Sequence, residues 1–248
     1  MKNIVALIVA ITALAALAGA AAFVCERIGE CCAEKSNSCH RPYGIYERFF
    51  KRPLDCFLSM GALIALSPVL IALTVVGAIQ MQGNPFFTQE RPGKDERIFK
   101  LIKFRTMNNK RDKNGDLLPD AQRLTGYGRW LRSTSLDELP ELLNIIKGDM
   151  SIIGPRPLLV RYLDRYSAEQ RRRHEVRPGL TGLAQVSGRN ALTWEDKFRY
   201  DVEYVDAVTL WGDIRIVFRT VRSVLKHDGI SSGTSATMEE FMGSQKEA

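Results

Sequence analysis

The segment from Cys56 to Ile79, "CFLSMGALIALSPVLIALTVVGAI", constrains this chain more than any other, because it carries no charge and has basic residues on both sides. At about 1.5 Å per residue it is long enough to cross a hydrocarbon core of about 30 Å. Arg48, Lys51 and Arg52 stand before it, and Arg91, Lys94, Arg97, Lys100, Lys103 and Arg105 follow it. Cytoplasmic flanks carry the Lys/Arg excess, so a straight span puts one of these clusters on the wrong side. Ser67-Pro68, at the midpoint, offers an alternative. Proline removes one helical hydrogen bond, and a neighbouring serine hydroxyl can satisfy the freed backbone group. A helix broken there dips into one leaflet and returns, leaving both basic flanks in the cytoplasm. A kinked helix that spans is the competing reading.

A second apolar stretch, Ile4 to Val24, is 21 uncharged residues long and reads as an N-terminal membrane anchor. Its competitor is a secretory signal, since Ala18-Gly19-Ala20 resembles a cleavage site. Cys25, Cys31, Cys32 and Cys39 follow it in a spacing that does not match paired zinc ligands. Hydrophobic residues make up 45% of the 248 residues and charged residues 25%, which excludes both a disordered chain and a bundle of transmembrane helices. A formal net charge of +7 is compatible with nucleic acid, an anionic membrane surface or phosphorylated substrates. No nucleic-acid-binding motif accompanies that charge, and none is expected to be a partner.

The stretch "RSTSLDELPELLNIIKGDMSIIGPRPLL", residues 132 to 159, places two carboxylates, Asp137 and Glu138, side by side at the expected start of a helix. Ser135 to Glu138 fits the S-x-x-E capping box, and first-turn carboxylates suit the helix macrodipole. Pro140 is harmless only among first-turn donors, which predicts a helix beginning at Leu136 or Asp137, with Asp137 a candidate N-cap. These residues alone leave capping and catalysis both open.

Around this pair, Ile98 to Phe104 alternates apolar and basic residues as a strand or an amphipathic edge piece does, and "SIIGPRPLL" reads as a short buried strand ending in a rigid loop. Prolines on both sides of Arg156 fix its backbone. Arg171 to Arg173, His174, Arg177 and Arg189 follow among glycines and turn residues. Each alone reads as a solvated surface arginine; a succession on loops is what a diphosphate site needs, because guanidinium forks match phosphate oxygens. His174 and Asp213 fit either a site or a structural role. "GYGRWL", with Leu131 where a third glycine belongs, excludes an ordinary dinucleotide fingerprint. Near the C-terminus, Ile214, Val217, Val221 and Val224 form one helical face and Arg215, Arg219, Arg222 and Lys226 another, as in a globular surface helix or one lying on anionic lipid.

Four segments, "KRPLDCFLSMGALIALSPVL", "FTQERPGKDERIFKLIKFRTM", "SLDELPELLNIIKGDMSIIGPRPLL" and "RHEVRPGLTGLAQVSGRN", together resemble the bacterial sugar transferases, monotopic polyprenyl-phosphate phosphoglycosyltransferases. Among these the chain is similar to the short campylobacter-type members that start N-linked glycan assembly. The likeness covers about residues 46 to 242; residues 1 to 45 depart from the short pattern.

The resemblance implies transfer of a sugar 1-phosphate from a UDP-sugar to undecaprenyl phosphate with release of UMP, through a covalent aspartyl-phosphosugar and with Mg²⁺. The implied sugar is N-acetylated, such as diacetylbacillosamine. Asp137 is then the nucleophile, Glu138 the magnesium ligand and Ser67-Pro68 the break in a re-entrant helix. Lys103, Arg132, Arg156 and Arg189 are the candidate phosphate or nucleotide contacts. An aspartate near its ordinary pKa of about 3.9 is ionised at neutral pH and needs no base to attack phosphorus. Mg²⁺, arginines and the helix N-terminus offset its repulsion from a diphosphate.

The fold expected is α+β and mainly helical, with small β elements, a membrane-embedded re-entrant helix and amphipathic helices at the membrane surface. Four regions are expected: an anchor and cysteine-containing linker at 1–45, the re-entrant hairpin at 46–90, a catalytic domain at 91–230 on the cytoplasmic face of the bacterial inner membrane, and a mobile tail at 231–248. A non-enzymatic basic scaffold at the membrane surface is the rival reading, but it leaves the acidic pair and the loop arginines unexplained.

Overall fold

A computed structural model describes residues 42–188, 192–226 and 240–243. The Ile4–Val24 segment, the four cysteines at 25 to 39 and Arg189 lie outside the described residues.

The apolar segment folds as two helices, Lys51–Ala65 (α1) and Ser67–Met81 (α2), bent by 65° at the intervening Leu66. The sequence locates this break to within one residue, and its cause is local. Pro68 has no N–H to give the Ile64 carbonyl one turn back, and the Ser67 hydroxyl donates to that carbonyl instead, at 2.8 Å. Ser67-Pro68 therefore opens the second helix, where proline is tolerated. Among the described residues no single helix is long and apolar enough to cross a membrane. The pair leaves much of its apolar surface uncovered: Phe57 is 76% exposed, Ile71 65% and Ile79 70%.

The first half of this pair is fastened to the rest of the molecule by its polar residues. Arg52 donates from both terminal nitrogens to the carbonyls of Ile145 and Ile146, at 2.6 and 3.1 Å. Asp55 is buried and accepts from the Ser151 hydroxyl at 2.6 Å and from the Ile152 N–H at 3.3 Å. Lys51 reaches Asp213 at 2.6 Å.

Beyond α2 the chain makes an antiparallel hairpin, Phe86–Pro92 (β1) and Ile98–Phe104 (β2), with Phe87 opposite Lys103. The alternating segment is thus a strand, with Phe99, Leu101 and Phe104 buried. A helix at Gly126–Thr134 (α3) is capped by the Thr125 side chain, which accepts from the Gly128 N–H. Gly128 packs so closely that a Cβ there would meet the Thr106 carbonyl oxygen at 2.0 Å. The G-x-G here serves helix packing.

The next helix, Glu141–Lys147 (α4), ends at Gly148, whose φ of 101° requires glycine. Asn144, fully buried, stitches α4 to β2: it accepts from the Ile102 N–H at 3.1 Å and donates to the Lys100 carbonyl at 2.8 Å. Two short strands, Ser151–Ile153 (β3) and Gly179–Thr181 (β4), pair in parallel. Thus "SIIGPRPLL" is a short strand followed by a loop, and the architecture is α+β, mainly helical with small sheets.

Two longer helices close the described fold, Trp194–Asp206 (α5) and Leu210–Lys226 (α6). The core side of α6 carries Asp213, Ile216 and the half-buried Thr220. Of the apolar face read from the sequence, Val217 and Val221 are exposed, together with Trp211 and Phe218, and Ile214 is half-buried. The inward side is fixed instead by buried Asp213, which accepts hydrogen bonds from Tyr46, Lys51 and Tyr204 at 2.6 to 2.9 Å. Asp213 is therefore a structural anchor. In the expected mobile tail, Phe241 is buried among Tyr162, Tyr166, Trp194 and Phe198; residues 231–239 and 244–248 lie outside the described residues.

Candidate active site

The acidic pair does not begin a helix. Leu136–Glu138 is a single 3₁₀ turn, and α4 starts only at Glu141, with Pro140 before it. Ser135 is exposed, caps nothing with its side chain, and adopts φ 57° as the left-handed residue that ends α3. Two competing demands explain the difference from the capping box. A proline in an α-helix clashes with the carbonyl four residues back, here that of Leu136, so the turn before Pro140 tightens. The chain must also reverse out of α3, and Ser135 supplies that reversal in place of a cap.

The turn brings Asp137 and Glu138 beneath three basic side chains from separate elements. Lys103 on β2 places its Nζ 2.7 Å from Glu138 Oε1, and Arg156 on the loop after β3 places Nη2 at the same distance from the same oxygen. Arg132 on α3 donates from Nε to the buried Thr106 hydroxyl at 3.2 Å, and its charge is felt by Asp137. Lys103, Arg132 and Arg156 are thus gathered at the acidic pair. Arg189 lies outside the described residues.

The two carboxyls differ electrostatically. Burial pushes the Asp137 carboxyl above its ordinary value and the neighbouring Glu138 charge pushes it further, with Lys103, Arg156 and Arg132 pulling the other way. The aspartate is therefore more basic than the unperturbed value assumed from sequence. For Glu138, burial also raises the pKa, but the charges of Arg156 and Lys103 and their direct hydrogen bonds overcome it and hold this carboxyl well below the usual range.

Sequence reasoning missed two groups here. Glu141, 3% exposed at the first turn of α4, lies 3.0 Å from the Lys103 ammonium through its Oε1. Burial, offset by Lys103 and reinforced by Glu138, pushes its carboxyl up to about 7. The available signal was its spacing of three and four residues from the dyad. Arg91, at the end of β1, donates to Gln89 Oε1 at 2.7 Å and to the Pro157 carbonyl at 3.3 Å. Burial and the Arg156 charge lower its pKa to about 10, which leaves it charged at neutral pH.

His174 is 6% exposed, and its Nε2 has no hydrogen-bond partner among the described residues. Burial, with the adjacent Arg173 charge, depresses its pKa to about 3, so it is neutral and packs 5.6 Å from the Tyr166 ring.

An acid pair gripped by lysine and arginine, ahead of a P-R-P loop and behind a bent apolar helix pair, defines a class. The chain belongs to the bacterial sugar transferase family, whose model matches residues 46–227. It is 50% identical over 194 residues to the uncharacterized sugar transferase EpsL of Bacillus subtilis, covering 78% of this chain and 96% of that protein. It is 39% identical over 200 residues to the undecaprenyl-phosphate galactose phosphotransferase of Salmonella typhimurium, covering 73% of this chain but 42% of that longer protein. A third relative, the UDP-glucose:undecaprenyl-phosphate glucose-1-phosphate transferase of Caulobacter vibrioides, is 38% identical over 190 residues, covering 72% of this chain and 70% of that protein.

Proposed function

We propose that this chain is a polyprenyl-phosphate phosphoglycosyltransferase that moves a sugar 1-phosphate from a UDP-sugar to undecaprenyl phosphate. The observation that carries the reading is the convergence of Lys103 and Arg156 on Glu138 beside the desolvated Asp137. The activities named for the Salmonella and Caulobacter relatives point the same way.

In this mechanism an Asp137 carboxylate oxygen attacks the β-phosphorus, and the bond from that phosphorus to the bridging oxygen breaks. UMP leaves with the bridging oxygen, and the sugar phosphate is held on Asp137 as an acyl phosphate. A phosphate oxygen of undecaprenyl phosphate then attacks the same phosphorus. The carboxylate is freed and an undecaprenyl diphosphate sugar departs. No proton leaves the nucleophile, because a carboxylate attacks as the anion. The raised pKa of Asp137 makes it the more nucleophilic carboxylate of the pair, while Lys103, Arg132 and Arg156 supply charge against the diphosphate.

Glu138 suits a magnesium ligand. Both of its basic partners bond to Oε1, which leaves Oε2 for a cation among the described residues. Mg²⁺ is commonly held by one or two carboxylates, with substrate phosphates and water completing its shell. When bound it would neutralise charge on the diphosphate.

The membrane reading belongs to the same proposal: α1 and α2 form a re-entrant hairpin with both ends cytoplasmic, residues 4–24 are an anchor, and α6 lies on the membrane surface. Support comes from the 65° bend, the uncovered apolar residues of both helices and the basic flanks. On α6, exposed Trp211, Phe218 and Val221 stand beside exposed Arg215, Arg219 and Arg222, as on a helix that lies on anionic lipid.

An N-acetylated amino-sugar, such as diacetylbacillosamine, is the proposed cargo. The test is a panel of UDP-diacetylbacillosamine, UDP-N-acetylglucosamine, UDP-N-acetylgalactosamine, UDP-galactose and UDP-glucose with undecaprenyl phosphate. UMP release with one amino-sugar donor is expected; release only with galactose or glucose would move the specificity, and none with any donor would favour a scaffold.

A further inference from the structure

We infer that Arg173 is a positioning residue for the site arginine Arg156, acting through the backbone of the P-R-P loop; this rests on the functional reading above. The loop has an unusual anchoring problem. Pro155 and Pro157 have no N–H, so across these three residues only Arg156 can donate from the backbone. The loop is held instead through its carbonyls, each taken by a different donor. The Pro155 carbonyl accepts from the Gly179 N–H at 3.0 Å, that of Arg156 from Arg173 Nη2 at 2.7 Å, and that of Pro157 from Arg91 Nη1 at 3.3 Å. The bond from Arg173 is the shortest of these, and its donor carries full charge.

Arg173 is held rigidly to make it. The residue is 3% exposed on the 3₁₀ turn Arg172–His174. Its Nε and Nη2 donate to Asp201 Oδ2 at 3.0 and 2.7 Å, and Nη1 donates to the Tyr166 hydroxyl at 3.4 Å. The guanidinium also lies 5.8 Å from the Tyr166 ring centre and 5.7 Å from that of Phe198. Asp201, on α5, is itself buried. A buried ion pair of this kind is weak evidence for stability, since apolar replacements of similar size are often as stable. What such replacements cannot do is grip a carbonyl outside the pair, and the carbonyl gripped here belongs to a site residue. The Arg156 side chain, by contrast, is 45% exposed and reaches Glu138 from a surface position. With so little packing around it, its placement depends on where its own backbone is fixed. A misplacement of about 1 Å at such a group is enough to cost on the order of a hundredfold in rate.

A double-mutant cycle on the full-length enzyme tests this, with UMP release from the best donor of the panel and undecaprenyl phosphate as the readout. Arg173→Gln in the otherwise native enzyme is expected to lower kcat/KM by about tenfold to a hundredfold. In an Arg156→Gln background the same change should cost less than about twofold, because the group it positions is already gone. Arg173→Gln leaves Asp201 buried without its partner, so Asp201→Asn serves as a second cycle, with thermal melts confirming that each variant folds. Losses that multiply in both cycles, in folded variants, would overturn the inference and leave Arg173 a structural residue. Absence of UMP release from the native enzyme with every donor would overturn the functional reading, and the inference with it.

Discussion

The Lys103 ammonium lies 2.7 Å from Glu138 Oε1, across a β-strand and a turn that are separated by 35 positions in sequence. The same ammonium lies 3.0 Å from Glu141, so one cation from β2 holds two carboxyls of opposite electrostatic character. One is kept ionised, and the other is pushed towards neutrality.

Glu141 gives a stability prediction with a definite sign. With its pKa raised to about 7, the folded protein holds a proton that the unfolded chain releases above about 4.5. The group therefore costs stability as pH rises through that window, and the full cost persists above it. Glu141→Gln removes the titration. Its stability relative to native should improve between pH 4.5 and pH 7.5 by on the order of 1–3 kcal/mol. Thermal melts across this range check it, and a difference independent of pH would show that Glu141 does not titrate here.

His174 predicts the opposite slope. Its folded pKa of about 3 lies below the ordinary 6.5, so below about pH 6.5 the unfolded chain binds a proton that the folded protein refuses. Stability from this group is complete above pH 6.5 and is lost as pH falls, by about 1.4 kcal/mol per unit while the gap is open. His174→Phe keeps the ring contact with Tyr166 and should be less acid-sensitive than native by that slope. Denaturant midpoints at pH 7 and pH 5 measure it; equal acid loss in both proteins would contradict the assignment.

The legibility of the site in the sequence follows from what local patterns can carry. Asp137, Glu138, Lys103 and Arg156 stand out because their residue types and their neighbours, a proline loop and an alternating strand, are local signals. The Ser67-Pro68 break is equally local, and the Ile64 carbonyl confirms the reason for it. Glu141 carries only a weak signal, its spacing from the dyad, because a glutamate in a helix normally faces water. Its burial arises from Asn144 stitching α4 to a strand 42 positions away. The S-x-x-E pattern misled for a related reason: Ser135 also ends α3, and that demand overrode the cap. Arg173 reads as one of three adjacent arginines, and only the fold selects which of them meets Asp201.

The proposed re-entrant arrangement predicts labelling behaviour. Arg48 and Glu90 are exposed and flank the α1–α2 pair. Cysteines placed at these positions, in a background lacking Cys25, Cys31, Cys32 and Cys39, should resist an impermeant thiol reagent in intact cells and react after lysis. Labelling of either from outside would establish a spanning pair instead of a re-entrant one.

Glu138→Gln should lower kcat by at least about tenfold while leaving the fold intact, and raising Mg²⁺ should recover part of the rate. Lys103 and Arg156 keep a neutral acceptor at the same place, so the loss reports charge at the proposed metal ligand and not a collapsed turn. A magnesium titration that superimposes on the native curve would remove Glu138 from the metal site.

The central claim is that Asp137 forms a covalent bond to the sugar phosphate. Successive residues of the 3₁₀ turn point about 120° apart, so the two carboxyls face different partners. Mass spectrometry of enzyme quenched after mixing with the UDP-sugar donor, without undecaprenyl phosphate, tests the claim most directly. A phosphosugar adduct is expected on the peptide containing Asp137, absent from Asp137→Asn. An adduct on Glu138, or undiminished turnover by the Asn variant, would contradict it.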